Sequence, residues 1–268
     1  MNTSLPDHGE PETDAAGPVR DTRLVWAGLF LSLAFFAKLP MADLWVSQHY
    51  WRAGEGFFGA HIPWVRLSYL YVPNMGRAFL VLAALFLLVS PGLTWWSHTK
   101  AGTRGAKLLK HIALWRRTAV ALLLVGGISS GLLINVSLKG YVGRPRPVQT
   151  VDFGGTQSYL PPFTWGTDPV HNKSFTSGHA ATGFSLMALG LCASPAWRRR
   201  WFFAGLLAGS VVGLGRIMQG GHYLSDIVFS FYVVWLTCEL VAYGFRRYDL
   251  SKLPSYHPDR IGPRSPLR

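Results

Sequence analysis

The sequence predicts an all-α fold: a polytopic membrane bundle of six transmembrane helices with both termini on the cytoplasmic side. Three observations predict it. Six apolar runs are spread along the 268 residues, and only 15% of residues are charged against 49% hydrophobic. Lys and Arg also gather in alternate connections between the runs, the pattern of cytoplasmic loops.

Residues 1–21, rich in Pro, Gly, Asp and Glu, read as a disordered tail without the apolar core of a cleavable signal peptide. Apolar runs follow at roughly Leu24–Leu39, Ala78–Trp95, Thr118–Leu138, Ser177–Cys192, Trp201–Ile217 and Ser225–Phe245. Each is near the 17–25 residues a helix needs to cross about 30 Å of hydrocarbon, the fourth and fifth being at the short end. A soluble bundle has no need of six such runs. The expected membrane domain covers residues 22–247, and 248–268 forms a second cytoplasmic tail.

Gly127/Gly131 and Gly205/Gly209/Gly213 repeat every four residues within apolar runs, which predicts close helix–helix packing. Cys192 and Cys238 lie far apart in or beside such runs and imply neither a disulfide framework nor a metal knuckle.

Charge sets the orientation. The formal net charge is +13, yet the basic residues lie between apolar runs rather than on one stripe, which argues against nucleic acid as a partner. Lys100, Arg104, Lys107, Lys110, Arg116 and Arg117 fill one connection without an acidic residue. Arg198, Arg199 and Arg200 fill another, and Arg246, Arg247 and Lys252 follow the last run. The positive-inside rule makes these regions and the N-terminal tail cytoplasmic, so residues 40–77, 139–176 and 218–224 face the opposite side. Trp45, Trp51, Trp64, Tyr69 and Tyr71 in the first of these suit an interfacial aromatic belt.

Three clusters lie on that outer side. In "LKGYVGRPRP", Lys139, Arg144 and Arg146 stand where the positive-inside rule disfavours cations, with two prolines stiffening the turn. Arginine's fork fits phosphate oxygens. In "NKSFTSGHAATGF", Ser174 or Thr176 is the expected N-cap of the next helix. Gly178 permits close backbone approach to an anion at its start, and His179 sits in the first turn. A serine nucleophile would want a Gly-x-Ser-x-Gly elbow, which is missing. In "GRIMQGGHYLSD", Arg216 closes a span, Gly220-Gly221 turn the chain, and His222 and Asp226 fall four apart at the start of the last span, hence on one helical face. A carboxylate there fixes the imidazole tautomer and raises its basicity. A metal site would need a further ligand; His171 and His179 are available, but no familiar spacing supports it. Together the clusters specify a phosphate monoester or diphosphate held by cations and attacked by a nitrogen nucleophile.

The order of these clusters resembles the type 2 phosphatidic acid phosphatase superfamily, whose pattern is K-x-x-x-x-x-x-R-P, then P-S-G-H, then S-R-x-x-x-x-x-H-x-x-x-D. Lys139 and Arg146-Pro147 match the first part, Ser177-Gly178-His179 the second with Thr176 in place of proline, and Arg216, His222 and Asp226 the third with Gly215 in place of serine. The resemblance covers about residues 20–245. It implies that Lys139, Arg146 and Arg216 bind phosphoryl oxygens, with Ser177 and Gly178 adding hydrogen bonds. It further implies that His222, oriented by Asp226, forms a phosphohistidine, and that His179 protonates the leaving oxygen and later activates water. No metal or cofactor is expected. Arg144 and Lys173 remain as contacts for a highly charged head group.

The loop between the first two motifs is similar to that of bacterial relatives acting on lipid A or other envelope lipids. The expected substrate is therefore an outer-leaflet lipid phosphate: lipid A, undecaprenyl diphosphate, phosphatidylglycerol phosphate or phosphatidic acid. The expected location is the bacterial inner membrane, with the site facing the periplasm. A lipid phosphotransferase, or a phospholipid-binding or transport protein without chemistry, are the alternatives. Oligomeric state is not encoded in any of these features.

Overall fold

A computed structural model describes residues 22–99 and 103–251. The tail expected at 1–21 and residues 252–268 of the second lie outside the described residues, and the last helix runs on through Ser251. The protein is mostly helical and integral to the membrane. Among the described residues, four helices are long and apolar enough to cross a bilayer: Pro63–His98 (α3), Arg104–Tyr141, Pro195–Met218 (α7) and Leu224–Asp249 of α8. The second of these begins as α4 (Thr103–Val125), continues as a π-helical stretch over Gly126–Leu138 and ends in one α turn, α5 (Lys139–Tyr141). Asn135 and Ser137 follow the wider pitch, donating to the carbonyls of Ser130 and Leu132 five residues back.

The first expected span differs from a plain helix. Thr22–Lys38 (α1) and Ala42–Gln48 (α2) are bent by 85° about Leu39-Pro40-Met41, so they make a fifth crossing only if the bent pair counts as one. Pro40 lacks the N–H that a continuing helix would need. The fourth expected span is also shorter than predicted. It is α-helical over Gly178–Phe184 (α6) and 3-10 helical over Ser185–Gly190, and together these reach about 22 Å, less than the hydrocarbon thickness. Among the described residues four helices, or five with the bent pair, are long and apolar enough, so the expected six spans are not confirmed.

The core is built by α6, its 3-10 extension, α7 and α8, with Phe184, Met187, Leu191, Val234 and Trp235 fully enclosed. Glycine makes the close contacts of α7 with α6, its 3-10 extension and α8 possible. A Cβ on Gly183 would come within 2.7 Å of the Gly209 backbone, one on Gly205 within 2.7 Å of Met187, and one on Gly213 would meet Ile227. The expected role of the second glycine group holds. That of the first does not: a Cβ on Gly127 meets nothing and one on Gly131 only its own helix, because both face away from neighbouring helices.

On α3, by contrast, Leu82, Leu85, Leu88 and Val89 are exposed, a surface suited to lipid rather than water. Pro91 inside α3 leaves the Leu87 carbonyl without its helical donor, and Ser90 Oγ supplies one at 3.0 Å. At one end of the bundle a short hairpin, Trp51–Arg52 (β1) with Gly56–Phe57 (β2), packs with Phe153 and Tyr223 under the loops.

Candidate active site

The loop after α5, the start of α6, the end of α7 and the start of α8 meet at that same end. Val148 N donates to Gly220 O at 3.1 Å, tying the first motif to the third. Arg146 N is held by Gln149 Oε1 at 2.8 Å, and Gln149 in turn reaches Asn172 beside the second motif.

Three cations gather there. Lys139 lies near enough to Arg146, Arg216 and the exposed Lys173 to feel their charge. Among the described residues, none of Lys139, Arg146 and Arg216 forms a salt bridge. Arg216 is buried at the end of α7, where Nη1 donates to Gln219 Oε1 and a Cβ on Gly221 would collide with the guanidinium. Only glycine leaves that side chain its place.

Gly178 is the neighbour of Lys139: a Cβ there would stand 3.4 Å from the ammonium nitrogen and 3.7 Å from Asn135 Oδ1. The helix cap differs from the expectation. Neither Ser174 nor Thr176 caps α6; Ser177 does, accepting from Ala180 N at 3.3 Å and keeping its own hydroxyl proton to donate. Ser174 instead donates to Asp226 Oδ2 at 2.5 Å, and the buried Thr176 hydroxyl has no partner among the described residues.

His222 also departs from the prediction. It precedes α8 rather than lying on its first turn, so the pair with Asp226 is made by a turn and not by a helical face. Asp226, in the third position of α8, accepts Tyr223 N at 2.9 Å in the manner of a capping box. That bond folds the chain back and brings His222 Nδ1 to 3.5 Å from Asp226 Oδ2, longer than a good hydrogen bond. His222 is almost fully buried. Burial pushes its pKa down to about 4; Asp226 pulls upward, while Arg216 and Lys139 add to the fall. The imidazole is therefore neutral at ordinary pH, as a nucleophile must be.

Arg144 requires the main correction. As a candidate head-group contact it should be accessible, yet it is 1% exposed and fully committed to protein partners. Nη1 donates to Asp226 Oδ1 at 2.7 Å and to Ser225 Oγ at 2.8 Å, Nη2 to Asp43 Oδ2 at 2.7 Å, and Nε to Leu160 O at 2.9 Å. Its guanidinium also lies over the Tyr223 ring, 4.3 Å from the centroid. Two buried carboxylates explain why it turns inward: without a cation between them each would be an uncompensated charge. Lys173 remains exposed at the edge of the cation cluster.

Two residues at the site escaped the sequence reading. Asp43, on α2, is completely buried; it accepts Ser225 N at 2.8 Å and Ser225 Oγ at 2.5 Å besides Arg144. Tyr69, expected in an aromatic belt, stacks on His179 with ring centroids 5.1 Å apart and planes 12° from parallel. The Arg216 guanidinium lies 4.6 Å from the same ring. Gly215, the departure from the family's serine, packs against α3: a Cβ there would be 3.3 Å from Trp64 and 3.4 Å from Ser68 Oγ.

The chain is 29% identical to a lipid A 4'-phosphatase of Francisella tularensis subsp. novicida over 79% of its own length and 90% of that protein's. It is 38% identical to a lipid A 4'-phosphatase of Rhizobium leguminosarum over 47% of its length and 51% of that protein's. It is also 33% identical to a lipid A 1-phosphatase of Rhizobium etli, over 47% and 53%. The chain thus spans about half the length of these two rhizobial relatives. No solved structure matches it significantly. The model of the PAP2 superfamily matches residues 119–249. That segment, just under half of the chain, holds Lys139, Arg146, Ser177, His179, Arg216, His222 and Asp226, and it is a PAP2 superfamily domain by this match.

Proposed function

We propose that this protein hydrolyses a phosphate monoester or diphosphate of an envelope lipid, lipid A foremost, through a phosphohistidine on His222. Family and relatives make the chain a phosphatase of the phosphoric monoester hydrolase class, acting on a lipid phosphate in a membrane. The observation that carries the finer reading is the convergence of Lys139, Arg146 and Arg216 around two histidines, one of them backed by Asp226. Three mutually repelling cations without a salt bridge are stabilised most by a ligand with several anionic oxygens.

In the proposed reaction the neutral His222 attacks phosphorus as the bond to the lipid oxygen breaks, and His179 gives that oxygen its proton. Water then attacks the phosphohistidine, His179 takes the water proton, and inorganic phosphate leaves. Lys139, Arg146, Arg216 and the Ser177 hydroxyl hold the phosphoryl oxygens as charge moves onto them. Lys173 is the contact for additional head-group charge.

Purified protein in detergent should release phosphate without added metal when offered lipid A, phosphatidylglycerol phosphate, phosphatidic acid and undecaprenyl diphosphate side by side. Turnover should be fastest on lipid A, and His222→Ala should lose at least about three orders of magnitude. Wild-type rates in that variant would overturn the mechanism, and indifference among the lipids would overturn the substrate.

The site is further proposed to face the periplasm from the inner membrane. The clustered cations Arg198, Arg199 and Arg200 begin α7, whereas the site lies at its other end beside Arg216. A reporter fused after Pro147 should therefore report the outer compartment; a cytoplasmic signal would reverse the orientation.

A further inference from the structure

Tyr69 lies outside the matched segment, on the first turns of α3, yet it touches two residues of the proposed machinery. Four residues along α3 stands Pro73, which has no N–H. In an α-helix the N–H of residue 73 would bond the Tyr69 carbonyl, so the proline releases that carbonyl. The His179 ring, stacked on Tyr69, has this carbonyl as a backbone acceptor acting on it. One residue therefore offers His179 both a ring face and a backbone acceptor.

We propose that Tyr69 is the positioning residue of His179: its ring fixes the imidazole plane, and its proline-freed carbonyl takes one ring N–H, so that the other nitrogen faces the leaving oxygen. This rests on the reading of His179 as the general acid. A histidine held by an N–H bond to a carbonyl has its tautomer set, and the remaining nitrogen is then defined as the one that exchanges the catalytic proton. The electron-rich ring face also favours a positive imidazolium, against burial and against the charges of Arg216 and Lys139 nearby. Arg216 on the same tyrosine ties the phosphate-binding and proton-donating groups to one support.

A merely structural role would slow all substrates alike, whereas a role in proton donation depends on the leaving group. A lipid or sugar alkoxide must be protonated as it departs, and p-nitrophenolate need not be. The experiment measures kcat on lipid A and on p-nitrophenyl phosphate for wild type, His179→Ala, Tyr69→Phe, Tyr69→Leu and Pro73→Ala, each checked for folding by its melting curve. His179→Ala should lower the lipid-to-nitrophenyl ratio by about 100-fold, the lower end for a general acid. Tyr69→Leu, which loses the ring and keeps the carbonyl, should lower it about tenfold. Pro73→Ala restores the competing helical donor and should lower it about fivefold, the size of one modest hydrogen bond. Tyr69→Phe keeps both features and should rescue the ratio to near wild type.

If His179→Ala lowers the ratio but neither Tyr69→Leu nor Pro73→Ala does, the positioning role is wrong while the acid stands. If His179→Ala leaves the ratio unchanged, His179 is not the acid, and the positioning role falls with it. A fall in Tyr69→Phe equal to that in Tyr69→Leu would assign the effect to the hydroxyl and overturn the ring argument.

Discussion

Asp226→Asn is expected to yield a folded protein whose lipid phosphate turnover is lower by about three to four orders of magnitude. Losing the carboxylate beside a catalytic imidazole costs about that much in an enzyme whose geometry is otherwise kept, because the tautomer is then wrong. Here the two carboxylate oxygens have separate duties. Oδ1 receives Arg144, while Oδ2 receives Ser174 Oγ and Tyr223 N and stands 3.5 Å from His222 Nδ1. An amide keeps only one acceptor, so its NH2 must face either the guanidinium or the donors around Oδ2. The fold should survive, since Asp43, Arg144 and Asp226 together carry one net negative charge and the substitution brings the group to neutrality. Steady-state kcat on lipid A, with a melting curve as control, checks this. Turnover within tenfold of wild type would remove Asp226 from the mechanism.

The largest effect on stability is expected at Arg144. Arg144→Ala leaves Asp43 and Asp226, both completely buried, facing each other with no cation between them. Removing one partner from a buried ion pair destabilises by about 3–5 kcal/mol, and here two carboxylates lose the same partner. Asp43→Ala should cost less, because Arg144 keeps its bond to Asp226 and the remaining pair is neutral. Thermal unfolding in detergent should therefore rank wild type above Asp43→Ala and Asp43→Ala above Arg144→Ala. An Arg144→Ala protein melting with the wild type would show that the network is not what holds these segments together.

Arg144 also shows where sequence reasoning stops. The two arginines of "GRPRP", Arg144 and Arg146, look alike as cations on an outer loop. Their difference in fate arises from Asp43, which is 101 residues away along the chain, and from Asp226, 82 residues away. Local spacing carries no trace of contacts at such range. Tyr69 was hidden for a related reason: an aromatic residue at a helix start beside a membrane has an ordinary interfacial explanation, and only packing reveals His179 against its face. The cap of α6 was misjudged by one to three residues because Ser174, Thr176 and Ser177 are all good capping residues. Ser174 is taken by Asp226, which leaves the cap to Ser177.

The sequence by itself determined that this is a helical membrane protein, that its distinctive polar residues belong together, and that their chemistry suits a phosphate. Apolar length and the placement of Lys and Arg follow from the solvation of single segments, and motif spacing survives in any single chain. Only the tertiary structure decided which runs make full helices, which cation turns inward, and which residues support the histidines. The physical reason is the same in each case. Burial makes an unpaired charge or an unbonded carbonyl expensive, so the chain settles these groups against partners that lie close in space and far apart in sequence.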